Sequence, residues 1–161
     1  MYRKTLKILH EFGAVGVLGA LAACIVLIAT APRDSLVEYA AVRHGIAALT
    51  QWLLVPALAV VLISGLLSIA ATEAYIHAGW PWLKAISGLA IFEGSLLTIS
   101  ASARQAAEAA AAAAAGQGNA AALDQALRTE WGGLWIVTAV AAANIIVAVW
   151  RPRLGRRAPD A

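Results

Sequence analysis

The sequence predicts an all-α polytopic membrane protein, an antiparallel bundle of four transmembrane helices. Three observations predict this class: four long stretches carry almost no charge, 61% of the 161 residues are hydrophobic, and only 13% are charged. A bilayer core about 30 Å thick is crossed by about 20 apolar helical residues, whose backbone groups must be hydrogen-bonded within the segment. The uncharged stretches are long enough for this. We therefore predict a single membrane domain with lipid as its main surroundings.

Hydropathy and proline positions set the predicted spans. The four spans are placed at about residues 8–31, 46–71, 81–103 and 131–150. The segment 32–43, which opens with Pro32, is expected to be a loop. Pro56 should kink the second span, because proline cannot donate the next helical hydrogen bond. Pro81 opens the third span, at a helical position where a missing N–H costs nothing.

The third helix is expected to continue past the bilayer to about residue 115. The segment 106–115 is rich in alanine, the residue with the highest helix propensity. The first strong break comes at Gly116-Gln117-Gly118-Asn119, and residues 120–130 should return as a helix. The sequence therefore predicts a projecting helical hairpin between helices 3 and 4.

Basic residues gather near both termini. Arg3, Lys4 and Lys7 precede the first span, and four arginines follow residue 150. Cytoplasmic segments of membrane proteins carry an excess of Lys and Arg, so both termini are predicted to be cytoplasmic. Because these charges flank spans, the net charge of +3 does not predict a nucleic-acid partner.

Glu93 is a carboxyl in the middle of the third span. An ionisable residue inside a membrane is a functional hypothesis until its partner is found. Asn144 is the first candidate partner within the chain, and Ser64, Ser95 and Thr98 are the alternatives. Helical phase places Glu93 on the face opposite the small and polar one, which is expected to pack inside the bundle. The small and polar face comprises Lys84, Ser87, Gly88, Ile91, Ser95, Thr98 and Ser102. Glu93 would then bond within the chain, meet a second subunit, or handle protons.

The histidines suggest a second kind of functional site, one that binds haem. His10 and His77 are predicted on the cytoplasmic side with Lys84, and His44 on the other side. Imidazoles from a helical bundle can ligate haem iron, so these three cytoplasmic-side residues are the candidate haem b site. A flat macrocycle could approach His10 along its helix face, formed by Gly13, Ala14 and Val17. The other interpretation is that each histidine is an interfacial polar residue.

Metal and catalytic motifs are missing from the sequence. The chain has one cysteine, Cys24, and one methionine, so the soft ligands that copper(I) prefers are nearly absent and no metal site is predicted. No dinucleotide, phosphate-loop, zinc-protease or paired-cysteine motif is present. Catalytic residues are therefore unassigned, and whether the chain is an enzyme stays open.

Several short motifs resemble those of small bacterial inner-membrane proteins. They are the run Leu6-Lys7-Ile8-Leu9-His10-Glu11-Phe12-Gly13-Ala14-Val15, then Ser64-Gly65-Leu66, Trp82-Leu83-Lys84 and Val149-Trp150-Arg151-Pro152. The group includes an uncharacterised four-span family, the copper-resistance D-type membrane proteins and the haem-dependent protoporphyrinogen oxidase. The four-span family is the most similar and implies a fold and a bacterial inner-membrane location. The oxidase resemblance implies functional roles for His10 and Lys84, although the oxidase's arginine- and tyrosine-rich motif is missing here.

Three function classes follow. The first is a non-catalytic accessory, anchoring or assembly subunit of a membrane complex, or a homo-oligomer. The second is a haem b redox protein that uses His10 with His77 or Lys84. The third is a proton-handling or transport protein centred on Glu93.

Overall fold

The structure is a computed structural model that describes residues 2–72 and 79–150. Every regular element within these ranges is a helix. Four helices form the bundle: α1 (Tyr2–Thr30), α2 (Leu36–Ala70), α3 (Gly79–Ala114) and α4 (Ala120–Trp150). Each contains a segment long and apolar enough to cross a bilayer. The predicted all-α, four-span class is therefore confirmed.

The start of α2 differs from the prediction. The helix begins at Leu36, so the predicted loop over residues 32–43 is wrong. Ser35 caps this helix: its hydroxyl oxygen accepts a hydrogen bond of 3.3 Å from the N–H of Glu38, one of the donors that a helix start leaves without a partner. Arg43, expected in the loop, consequently lies within a helix.

Two π-helical turns interrupt the long helices. Thr50–Leu54 separates the two α-helical parts of α2, and Ser95–Ser100 separates those of α3. The first π turn ends just before Pro56, so the predicted irregularity at this proline takes the form of a wider turn. The two π turns lie against each other. Such turns occur often at functional sites, which draws attention to the interior between α2 and α3.

Each helix packs mainly against the helices that precede and follow it in the chain. The second part of α2, Val55–Ala70, packs against α1, while the first part, Leu36–Leu49, packs against Ala101–Ala114 of α3. α4 lies along α3. We call the end with Tyr2 and Trp150 the terminal end, and the end where α3 joins α4 the hairpin end. The predicted hairpin is thus packed against α2.

Glycines bring α1 close to α2. A Cβ atom on Gly13 would lie 2.8 Å from Cγ2 of Val61, and one on Gly16 would lie 3.1 Å from Cβ of Ala57. The sequence predicted that the small residues of the first span pack against another span. This holds for Gly13 and Gly16, whereas a Cβ on Gly19 would meet no atom within 4 Å.

The turn between α3 and α4 contains the predicted helix breakers. Gly116 has a φ of +75°, a left-handed conformation that glycine adopts without steric cost. Oδ1 of Asn119 accepts hydrogen bonds of 3.1 and 3.2 Å from the N–H groups of Ala121 and Ala122. Asn119 therefore caps α4, which runs unbroken to Trp150. The predicted return segment and fourth span are one helix.

Apolar side chains fill the bundle interior. Leu21, Ile46, Leu54, Ile99 and Leu134 are all buried in one cluster contributed by the four helices. Many other large apolar side chains point outward, as expected where lipid is the solvent. Polar side chains within the interior are therefore the features that need an explanation.

Candidate functional site

At the terminal end, α1 presents His10 to α2. Its Nδ1 lies 3.0 Å from the carbonyl oxygen of Val61 and 3.2 Å from the hydroxyl oxygen of Ser64. A carbonyl oxygen only accepts, so the contact with Val61 requires the proton on Nδ1. Nε2 then carries the lone pair of the neutral imidazole. Gly65 is next to the ring, and a Cβ there would lie 3.4 Å from Cε1 of His10.

Ser64 helps to orient this imidazole. Its hydroxyl donates a 2.5 Å hydrogen bond to the carbonyl oxygen of Val60 in the preceding turn of its own helix. The hydroxyl oxygen is then left to accept from His10. Ser64, which the sequence offered as a partner of Glu93, therefore belongs to the histidine cluster.

Lys84 completes the cluster from α3. It is half-buried and lies within electrostatic range of His10 and of the exposed Glu11. No carboxylate of the described residues lies within ion-pair distance of Lys84. The structure therefore brings His10, Ser64 and Lys84 to one end of the bundle. His77, the other candidate, lies outside the described residues.

The helix face next to His10 is closed to a macrocycle. The sequence placed haem along Gly13, Ala14 and Val17, but α2 packs against Gly13 too closely even for an added methyl group. Val17 is buried in the core cluster. Nε2 of His10 still has its lone pair for a metal. A haem at this histidine would have to approach the ring from another side.

Glu93 lies on the outside of the bundle. Its side chain is exposed, with Ile86 and Leu97 of the same face 68% and 74% exposed. The predicted rotation of α3 is confirmed around Glu93, since Ile91 and Ser95 of the opposite face are buried. It is wrong for Ser100, which helical phase also placed on the Glu93 face and which is buried at the end of the π turn. Asn144, a predicted partner of Glu93, instead accepts a 2.8 Å hydrogen bond from the hydroxyl of Ser87. A single chain thus leaves the Glu93 carboxyl facing lipid.

A shallow crevice of about 150 Å³ lies between α3 and α4, and Glu93 itself is not among its lining residues. Its lining is mostly apolar or small and includes Ala90 and Gly94 of α3 and Gly133 and Ile136 of α4. Ala90 and Ile136 are exposed, so the crevice is at the surface of the bundle. Small residues at such a position let another helix approach closely.

At the hairpin end, Arg43 of α2 and Glu130 of α4 form an ion pair that the sequence analysis missed. Nη2 of Arg43 donates a hydrogen bond to Oε2 of Glu130, and both side chains are 0% exposed. Cys24 of α1 is buried within electrostatic range of both. The pair therefore connects α2 to α4 in the interior of the bundle.

The sequence holds one signal that could have led to this pair. Ser35 is followed three residues later by Glu38, the pattern of a helix start known as a capping box. Reading a helix from that point would have placed Arg43 two turns inside it. Glu130 was assigned to the hairpin because charge marks the end of a hydropathy-defined span.

Neither a known family nor a metal site can be assigned to the described part of this chain. Within the described ranges, no three His, Cys, Asp or Glu side chains gather in a group that could hold a metal ion. Comparison of the chain with protein-family models, with curated proteins and with solved structures found no match. By the length and composition of its helices, the chain is a multi-pass membrane protein in contact with lipid.

Proposed function

We propose that this chain is a non-catalytic membrane subunit that assembles with another membrane chain through the α3 face around Glu93. The observation that carries the proposal is the exposed carboxyl of Glu93 on an otherwise apolar, lipid-facing surface. Insertion of a carboxylate at the centre of a span costs about 2.5–3.5 kcal/mol, so such groups face a bundle interior or a cavity. A partner helix would supply that interior.

The surroundings of Glu93 suit a helix–helix contact. The crevice between α3 and α4 has Ala90 and Gly94 of α3 in its lining, and Leu97 and Ile86 offer exposed apolar surface on the face of Glu93. Association of helices in lipid depends on close packing of small residues and on hydrogen bonds between polar side chains. The partner should therefore offer a hydrogen-bond donor at the depth of Glu93. It can be a second copy of this chain or another subunit.

Purification from native membranes in a mild detergent tests this proposal. We expect the wild-type chain to elute as a complex of fixed stoichiometry, and Glu93→Leu to elute as a single chain. Glu108→Leu is the matched control, because Glu108 is an exposed carboxyl on the same helix near the hairpin end. The Glu108→Leu variant should still elute as the complex. A Glu93→Leu variant with unchanged stoichiometry would refute the proposal.

Haem binding is the second candidate, and the contact of His10 with Val61 favours it. Histidines that bind metals usually donate their other ring N–H to a carbonyl or carboxylate, which fixes the tautomer. His10 has this arrangement through Nδ1, and Lys84, a cation within electrostatic range of His10, would be the residue to pair with a propionate or another anionic group. A haem-dependent role would also agree with the resemblance of His10 and Lys84 to functional residues of the oxidase.

An absorbance spectrum of the purified chain separates the two candidates. Haem binding predicts a Soret band that His10→Ala abolishes and that His44→Ala retains. His44 is the matched control because it is an exposed histidine of α2 toward the hairpin end. A preparation from haem-supplied cells without a Soret band would exclude this candidate and leave the assembly proposal untouched.

A further inference from the structure

The buried ion pair at the hairpin end has more hydrogen-bonding capacity than the protein around it uses. Arg43 and Glu130 share one hydrogen bond, between Nη2 and Oε2. Nε and Nη1 of Arg43 and Oε1 of Glu130 are buried and find no partner among the described residues. A guanidinium has five N–H donors and a carboxylate has two acceptor oxygens, so several donors and one oxygen are left over.

The apolar side chains and the thiol near the pair do not satisfy these groups. Ile46 and Leu134, one helical turn away on α2 and α4, are fully buried apolar side chains. Cys24 offers only a thiol, a weak donor and a weak acceptor. Leaving a buried donor or acceptor without a partner costs the desolvation free energy of that group, and the cost is larger for charged groups. Bulk water does not reach them, because both side chains are fully buried.

The leftover atoms define the chemistry of a ligand. It must accept hydrogen bonds from Nε and Nη1 of Arg43 and donate one to Oε1 of Glu130. An anion would bind Arg43 but be repelled by Glu130. A cation would bind Glu130 but be repelled by Arg43. A small neutral molecule that both donates and accepts fits both residues, and buried water typically makes about three such bonds.

We propose that the Arg43–Glu130 pair is an internal hydration site, in which water is hydrogen-bonded between the guanidinium and the carboxylate. This inference concerns the bundle interior and does not depend on the proposed assembly face. The apolar cluster of Leu54, Ile99 and Leu134 lies between this site and the terminal end.

Water-edited solid-state NMR tests the site directly. The full chain, labelled with ¹³C and ¹⁵N, is studied in lipid bilayers, and magnetisation transfer from water to each carbon is followed over time. We expect Cζ of Arg43 and Cδ of Glu130 to receive water magnetisation several-fold faster than the side chains of Ile46 and Leu134. Transfer to Arg43 that is no faster than to Leu134 would overturn the proposal, as would equally fast transfer to all four residues.

A paired variant shows whether the charges hold the water. In the wild type, the nearby Cys24 should also receive water magnetisation early. In the double variant Arg43→Met/Glu130→Leu, the rate of this transfer to Cys24 should fall to the rate measured for Leu134. If Cys24 of this variant still received magnetisation as quickly as in the wild type, the ion pair would not be what binds the water. The wild-type measurement decides the proposal by itself if the variant does not fold.

Discussion

The carboxyls of Glu93 in α3 and Glu130 in α4 meet opposite surroundings. Glu130 faces the interior, is fully buried and is hydrogen-bonded to Arg43 of another helix. Glu93 faces outward and makes no hydrogen bond with a described residue. A charge that pairs inside the chain contributes to its fold, whereas a charge turned to lipid requires something outside the chain. The comparison therefore separates the folding role of Glu130 from the assembly role that we propose for Glu93.

The largest expected effect is on Glu130. Glu130→Leu should lower the free energy of unfolding by about 3–5 kcal/mol, because breaking one partner of a buried pair leaves the other charge uncompensated. Arg43 cannot lose its proton, so it stays charged in the interior. Denaturation by SDS in mixed micelles, followed by circular dichroism, measures the loss.

Two further variants of the pair are the controls. Arg43→Met should cost less than Glu130→Leu, because a lone Glu130 can become neutral by binding a proton. The double variant should regain most of the stability, since an apolar replacement of a buried ion pair is often neutral. Equal stability of Glu130→Leu and the wild type would contradict the folding role.

The second largest effect on stability is expected from Gly133→Ala. This variant tests the orientation of α4 about its own axis, which turns Glu130 toward the interior. Gly133 lies one turn after Glu130, and a Cβ on it would clash with Oγ1 of Thr98 and lie 2.9 Å from its Cβ. Gly133→Ala should therefore destabilise by about 1–3 kcal/mol, the usual cost of overpacking. Gly132→Ala is the matched control, since its Cβ would meet no atom within 4 Å. The same unfolding assay checks both, and a more stable Gly133→Ala would mean that this rotation is wrong.

A small effect is expected at the surface ion pair of α4. Nη2 of Arg128 lies 2.8 Å from Oδ2 of Asp124, but both side chains are mostly exposed. Asp124→Asn should cost only about 0.3–0.5 kcal/mol, the value of helical pairs four residues apart. Added salt in the unfolding assay should reduce the contribution of the Asp124–Arg128 pair to stability. It should leave the contribution of the buried Arg43–Glu130 pair unchanged. A cost near that of Glu130→Leu would show that exposure does not separate the two pairs.

The smallest effect on the isolated chain is expected at Glu93. Glu93→Leu should change the stability of the detergent-solubilised single chain by no more than about 0.5 kcal/mol, as at other surface positions. The unfolding assay measures it beside the Glu130 variants. A loss comparable to that of Glu130→Leu would reveal a partner for Glu93 within the chain.

Hydropathy and helical phase predicted most of the fold because lipid leaves the backbone few alternatives. The four spans and the outward rotation of Glu93 both follow from patterns within one helix. Helix ends were less predictable, since hydropathy marks the lipid-embedded length and α2 and α4 begin beyond it, at Leu36 and Ala120.

Contacts between helices were hidden from the sequence. Arg43 and Glu130 are 87 residues apart, and nothing local links them. His10 was identified as a candidate, but its bond to Val61 and the closed helix face beside Gly13 depend on how α1 packs against α2. A single sequence indicates which side chains could matter, and packing decides which of them meet.

Photocrosslinking in the native membrane tests the assembly role most directly. A photoreactive phenylalanine analogue is placed at Leu97, on the face of Glu93, and in parallel at Val15 of α1, which is similarly exposed. We predict a discrete protein adduct from position 97, lost in the Glu93→Leu background, and lipid adducts from position 15. Lipid adducts alone from position 97 would contradict the account.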